Sequence, residues 1–267
     1  MKRIQSADNP GFRHLLKLAQ SSRERRKAGL SLLDGTHLIA AYNARFGPPA
    51  QLAISESALE NTEIRALVEA LQPLSPLLLT DALFAALSTV STPTGIMAAI
   101  ETPRAPVLPE KLDTCVLLDD IQDPGNLGSI LRTAAAAGIK QVCLSKTSVH
   151  GWSPRVLRAG MGAHFMLDIH EQCDLAEIVR NFCGQVIVTT MDASSSIFSV
   201  DLTGHVALLF GNEGAGVSPE LRQLAHQKVC IPMPGGMESL NVGAAAAICL
   251  FERVRQLKKT AVANAAQ

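Results

Sequence analysis

The stretch Val206-Ala207-Leu208-Leu209-Phe210-Gly211-Asn212-Glu213-Gly214-Ala215-Gly216-Val217-Ser218-Pro219-Glu220 carries the fold in miniature. Five consecutive apolar residues are too few for a core helix and suit a strand buried on both faces, which is the strand of a parallel sheet. A glycine-rich loop follows. Ser218-Pro219-Glu220 then opens a helix, with a capping hydroxyl ahead of a proline at the first helical position. Glycines at 211, 214 and 216 let backbone approach a ligand or take positive φ, although this spacing is not the dinucleotide fingerprint. Glu213 lies between glycines, with no apolar surface to protect, so a polar functional role fits it better than a structural one.

The same strand, loop and helix order repeats on both sides of this stretch. From residue 114 onward, strands are predicted at 115–118, 141–144, 165–169, 186–190, 206–210 and 229–232. Helices are predicted at 127–137, 154–161, 174–182, 218–226 and 239–257. That alternation implies an α/β domain whose parallel sheet is covered by helices. In such sheets ligands bind beyond the carboxyl ends of the strands, where the loops meet helix N-termini.

Two further segments fall at those junctions. Leu117-Leu118-Asp119-Asp120-Ile121-Gln122-Asp123-Pro124-Gly125-Asn126 runs from a strand into a turn, and Asn126 is expected to cap the helix that follows. Arg132 is harder to explain as structure. It sits beside Ile130, Leu131 and a run of alanines, where a guanidinium either snorkels to water or meets an anion. In Val229-Cys230-Ile231-Pro232-Met233-Pro234-Gly235-Gly236-Met237-Glu238-Ser239-Leu240-Asn241-Val242 a strand ends in Pro and Gly. Ser239 or Asn241 is expected to cap an alanine-rich helix whose small side chains invite close packing.

The first hundred residues read as a small α/β domain. Asn9-Pro10 opens a helix that is expected to continue through Arg23-Glu24-Arg25-Arg26-Lys27 to Gly29. Apolar runs at 30–33, 52–54, 77–79 and 96–100 alternate with helical stretches around 36–45, 58–71 and 81–87. Residues 102–113 hold three prolines without apolar periodicity and read as a linker. The expected domains are 1–103, a linker at 104–113, and 114–267.

The net charge is zero, but it is unevenly spread. Residues 1–27 carry eight Lys/Arg against Asp8 and Glu24, a balance of +6, and the remainder carries −6. A clustered basic segment can contact phosphates whatever the total; a solvated helix face is the alternative. None of the six cysteines forms a C-x-x-C pair, and most lie in apolar runs, so buried thiols in a reducing compartment are expected and no metal. No apolar run approaches the length of a membrane span, and the basic start lacks the apolar stretch of a secretory signal. Both point to a cytoplasmic protein without a membrane partner.

Taken in order, the three junction segments resemble the three motifs of the SpoU (TrmH-type) branch of the SPOUT methyltransferases. The matching residues are Asn126 and Arg132, then Gly211-Asn212-Glu213-Gly214, then Pro232-Met233 with Ser239-Leu240-Asn241-Val242. Ser153-Pro154-Arg155-Val156-Leu157-Arg158-Ala159-Gly160-Met161-Gly162-Ala163 is similar to the family's intervening sequence. More loosely, Leu33-Asp34-Gly35-Thr36-His37-Leu38-Ile39 and Thr92-Pro93-Thr94-Gly95-Ile96 resemble its RNA substrate-binding domain. The resemblance implies an S-adenosylmethionine-dependent RNA 2′-O-ribose methyltransferase with a deep C-terminal trefoil knot, the segment after Cys230 threading a loop around 206–216. It implies cofactor contacts near Leu209, Gly211, Ile231, Met233 and Leu240, and a homodimer with active sites at the interface. The resemblance gives Arg132 the task of handling the 2′-hydroxyl proton; because a guanidinium holds its proton tightly, Arg132 is expected instead to position an RNA phosphate or polarise the hydroxyl, with Asn126, Glu213, Ser239 and Asn241 orienting Arg132 and the ribose. Gly243 stands where many relatives have serine, so no catalytic role falls there. Ribosomal RNA is the expected substrate, with tRNA as the alternative and no DNA. A base-methylating relative, or an RNA-binding protein without catalysis, is the rival class; no Walker segment supports an unrelated nucleotide enzyme.

Overall fold

The computed structural model describes residues 1–88, 93–109 and 111–265. Thr92 of the loosely matched N-terminal segment and Glu110 of the expected linker lie outside them. In chain order the first elements are β1 (Lys2–Ile4), α1 (Pro10–Gln20), α2 (Ser22–Ala28), β2 (Leu30–Asp34), α3 (Thr36–Phe46), β3 (Gln51–Ser55), α4 (Thr62–Ala70), β4 (Leu77–Leu79), α5 (Asp81–Leu87) and β5 (Ile96–Glu101). They continue with β6 (Cys115–Leu118), α6 (Pro124–Ala136), β7 (Gln141–Ser145), α7 (Pro154–Gly160), β8 (Asp168–Cys173), α8 (Leu175–Asn181), β9 (Gln185–Thr189), β10 (Val206–Phe210), α9 (Pro219–Leu224), β11 (Gln227–Val229) and α10 (Val242–Ala265).

The chain divides into two compact units. The first joins Met1–Pro103 with Trp152–Phe165; the second joins Arg104–Gly151 with Met166–Gln267. The segment 152–165, which sequence periodicity runs on with the C-terminal half, thus packs with the first unit.

In the first unit a mixed five-stranded sheet has the order β1-β4-β3-β5-β2. Its core gathers Phe12, Leu15 and Leu18 of α1, Phe84 and Leu87 of α5, and the strand residues Leu32, Ala53, Leu79 and Met97. The long helix expected from Pro10 to Lys27 is broken at Ser21, whose backbone is extended (φ −129°, ψ 116°). Ser21 accepts a hydrogen bond from the Glu24 N–H at 3.2 Å. Ser21-x-x-Glu24 is a capping-box sequence, and it starts a second helix in place of continuing the first.

That break also changes the meaning of the basic cluster. Arg25 is buried, and its guanidinium donates to the Leu18 carbonyl at 2.6 Å and the Ala19 carbonyl at 3.3 Å. It satisfies carbonyls that the end of α1 leaves without helical partners. At least one of the eight N-terminal cations is therefore a fold element and not a phosphate ligand.

In the second unit six parallel strands have the order β11-β9-β10-β6-β7-β8. The central strands β6 and β10 are buried at every position, as double coverage requires. Two strands shift from their expected places. The strand expected at 165–169 is β8 at 168–173, because Phe165 ends a short 3-10 turn in the first unit. Its sequence Asp168-Ile169-His170-Glu171-Gln172-Cys173 suits an edge strand better than a central one. The strand expected at 229–232 ends at Val229, the last residue paired with β9. Cys230 bridges Ser196 instead, and Pro232 has no N–H to extend a ladder.

Replacing Arg25 with Ala leaves the α1 carbonyls without their donor. We expect a loss of about 2 kcal/mol in stability by urea denaturation, the usual worth of a charge-assisted hydrogen bond. Arg25→Lys should recover only part of it, since one ammonium cannot reproduce the guanidinium's reach.

Candidate active site

Proline at the first position of α6 decides which residue caps it. Asp123, immediately before Pro124, accepts from the Asn126 N–H at 2.8 Å and is the N-cap. The sequence-based expectation that Asn126 caps α6 is therefore corrected. Asn126 lies inside the first turn, and its side chain is free to reach across the chain.

Its amide donates through Nδ2 to Glu213 Oε1 at 3.0 Å and accepts at Oδ1 from Asn241 Nδ2 at 2.8 Å. Glu213 also accepts from the Asp123 N–H at 3.1 Å and the Gln122 N–H at 3.3 Å. Partial burial pushes the Glu213 carboxyl up. The hydrogen bonds from Asn126 and from the backbone outweigh it and hold the group below the usual glutamate range. Glu213 is thus an anion at neutral pH with its lone pairs largely committed.

Asn241, not Ser239, caps α10. Its Oδ1 accepts from the Gly243 N–H at 2.9 Å and the Ala244 N–H at 3.3 Å, and the helix begins at Val242. One side chain thus caps α10 with its oxygen and holds Asn126 with its nitrogen. Gly243 allows this close fit: a Cβ there would lie 3.1 Å from Asn241 Oδ1 and 3.3 Å from Ser129 Oγ on α6.

The loop after β10 is held from within. Asn212 Oδ1 accepts from the N–H groups of Gly214 and Ala215, and its Nδ2 donates to Asp120. The backbones of Asn212 and Gly216 exchange two hydrogen bonds. Gly211 is required here, because a Cβ would come within 2.3 Å of the Gly216 and Val217 backbone.

A cavity of about 480 Å³ opens beside this loop. Gly211, Glu213, Ile231, Met233, Ser239 and Leu240 all line it. Leu209 does not: it is fully buried in β10, two residues before Gly211. Arg132 stands apart from the cavity lining, exposed on α6, with no hydrogen bond or ion pair among the described residues. Ser239 is exposed on the cavity wall. The structure therefore joins Asn126, Glu213 and Asn241 in one network and leaves Arg132 outside it.

Comparison with known proteins identifies the family. The profile of the SpoU rRNA Methylase family matches residues 113–251. The chain belongs to that family. An uncharacterized tRNA/rRNA methyltransferase of Synechocystis is 30% identical over 259 residues, 95% of this chain and 93% of that protein. The 23S rRNA (guanosine(2553)-2′-O)-methyltransferase RlmP of Bacillus subtilis is 29% identical over 257 residues, 94% of this chain and 98% of that one. The AdoMet-bound rRNA methyltransferase from Sinorhizobium meliloti has a TM-score of 0.80 at 28% identity, covering 96% of this chain and 98% of its own.

Within this SpoU site, sequence reasoning passed over Asp123 and Gln122, whose N–H groups fix Glu213. The Asp123-Pro124 pair was the available signal. It also passed over Thr189, Thr190 and Arg222, which line the cavity from separate elements. No local pattern marks those three, because only the sheet order brings β9 and α9 beside the loop.

Because the folded-state pKa of Glu213 is depressed, its stabilising contribution is present above the ordinary glutamate value. It is lost as pH falls through the lower folded value. The stability gap between wild type and Glu213→Gln should accordingly be widest at neutral pH and close in acid, measured by urea denaturation across a pH series. A gap independent of pH would show that the carboxylate is not held as an anion.

Proposed function

We propose that this chain transfers a methyl group from S-adenosylmethionine to a ribose 2′-hydroxyl of ribosomal RNA. The observation that carries the reading is the Asn126–Glu213–Asn241 network at the cavity beside Gly211, with an unpaired arginine on the same helix as Asn126. Relatives named as 23S rRNA 2′-O-methyltransferases, and an AdoMet-bound rRNA methyltransferase of the same fold, support the substrate and the cofactor.

The residues present fit the cofactor. The cavity has the size of a small-molecule site, and its wall at Gly211 leaves no space for a side chain. Its lining mixes apolar Ile231, Met233 and Leu240 with the carboxylates of Glu213 and Glu238, a favourable setting for a sulfonium cation. When bound, S-adenosylmethionine supplies an electrophilic methyl for direct displacement.

The chain's own contribution is alignment and polarisation. Asn126 is fixed in one amide orientation, since its nitrogen donates to an anion and its oxygen accepts from Asn241. Glu213 holds that orientation and is a poor base, its oxygens already accepting three N–H groups. Arg132 presents a guanidinium fork of N–H donors, so its part is to draw a phosphate or the 2′-hydroxyl into line. Ser239, on the cavity wall, contacts the ribose in this reading. Arg132→Ala should lower methyl transfer to labelled total RNA by about 100-fold or more. Calorimetric affinity for S-adenosylmethionine should stay unchanged. Normal turnover by that variant would overturn Arg132's role, and absence of cofactor binding by wild type would overturn the function.

The same proposal includes a trefoil knot, in which the segment after Cys230 threads the loop around 206–216. The closure of that loop by Asn212 and Gly216 and the lack of side-chain room at Gly211 support it. It also includes a cytoplasmic homodimer with a 1–103 RNA substrate-binding domain, a 104–113 linker and a catalytic domain at 114–267. No helix among the described residues is long and apolar enough to cross a membrane. Ala244 and Phe251 lie two turns apart on one face of α10 and are exposed, Phe251 by 49%. α10 packs against α6, whose exposed side carries Ser129 and Arg132. A second copy over this face would complete a site that one chain leaves open around Arg132. Phe251→Glu should convert the dimer to monomer in light scattering and reduce methyl transfer. A variant that stays dimeric would place the interface elsewhere.

A further inference from the structure

The segment 158–165 tracks α3 from one end to the other. Arg158 Nη1 stands 4.0 Å from Asp34 Oδ2, just before the start of α3. Gly162 lies beside Ala41, where a Cβ would be 3.8 Å from the alanine methyl. Phe165 meets Tyr42 and Phe46 near the far end, with ring centroids 5.7 and 6.0 Å apart. An eleven-residue helix is about 16 Å long. Helix and segment together form a band of that length on the first unit.

The groups exposed along this band are cations and apolar side chains in sequence. Arg155 and Arg158 sit one turn apart on α7, both exposed. Asp34, the acid nearest Arg158, is buried and already accepts from the Thr94 hydroxyl at 2.5 Å. It therefore fixes the guanidinium without fully covering it. Arg155 has no ion pair among the described residues. Glu63, at the same end of α3, is engaged by the Thr36 hydroxyl at 2.5 Å. Met161 follows, 52% exposed, and the band ends at Phe46, 45% exposed, with Arg45 at 5.7 Å from its ring centroid. Tyr42 and Phe165 hold the Phe46 ring from the protein side, so the remaining surface is presented to solvent.

We infer that this band binds single-stranded RNA, with Arg155 and Arg158 on backbone phosphates and Phe46 beside an unstacked base. Alternating phosphate and base is the pattern that guanidinium groups and an exposed ring can read together. A duplex keeps its bases stacked and offers nothing to Phe46. The inference rests on the RNA substrate of the preceding section and names a surface of the first unit that would hold it.

The test is fluorescence anisotropy with a fluorescein-labelled single-stranded oligouridylate over a salt series. Arg155→Ala/Arg158→Ala should weaken binding about 10-fold or more near 0.1 M salt. It should reduce the log–log salt slope by about 1.4, the share of two single-strand phosphate contacts. The double Lys variant should restore the slope. Phe46→Leu, which keeps apolar volume under the ring, should weaken binding with the slope unchanged. Calorimetric S-adenosylmethionine affinity and the melting temperature should match wild type in all variants. Wild-type affinity and slope in a folded double Ala variant would overturn the band and leave RNA methylation standing. A wild type that neither binds nor methylates RNA would overturn the function itself.

Discussion

Glu213 holds the second unit's site together, because its carboxylate joins the β10 loop to the start of α6 and, through Asn126, to the cap of α10. Its loop follows β10, its backbone donors precede α6, and its Asn126 partner is bonded to the residue that caps α10. Each contact is an ordinary hydrogen bond, but their sharing makes the arrangement interdependent. Without Glu213, the Gln122 and Asp123 N–H groups and the Asn126 amide would all need other acceptors. Without Asn241, Asn126 keeps only its bond to Glu213, and α10 loses its cap.

Close approach is the second constraint. A polar network built from short side chains brings their backbones near one another, and this chain meets that need with glycine at defined points. Gly211 faces the Gly216–Val217 backbone, and Gly243 faces Asn241 and Ser129. At position 243 a hydroxyl-bearing side chain would have to share space with the Asn241 cap. Gly243 thus lets α6 and α10 approach closely at this point, while Asn126 and Asn241 carry the hydrogen bonds.

The sequence made the sheet legible because a parallel sheet announces itself through all-apolar strands such as Val206–Phe210 and Cys115–Leu118. It was weaker at the edges, where β8 is half polar and β11 has three residues. Capping was misread at Asn126 and left open between Ser239 and Asn241, for one reason. Asn126 and Ser239 are good caps by residue type, but Asp123 before Pro124 and Asn241 before Val242 occupy the cap positions by geometry. The Ser21-x-x-Glu24 break was legible and was hidden by the run of basic residues around it. Membership in the family was readable from three spaced motifs. Which side chains bond which was not, because those contacts join residues about ninety to more than one hundred positions apart.

Arg132 shows what a network can and cannot explain. Asn126 and Glu213 are bonded in place by the chain itself, whereas Arg132 has no partner among the described residues. A guanidinium flanked by apolar and alanine residues does not stabilise the helix it sits on by any contact the structure provides. Its cost is kept low by exposure, and its positive charge remains unspent. In the function proposed above, a guanidinium held by no such contact is free to meet an incoming phosphate or hydroxyl. Asn126, Glu213 and Asn241 are thus fixed by side-chain hydrogen bonds, whereas neither Arg132 nor Ser239 has one among the described residues.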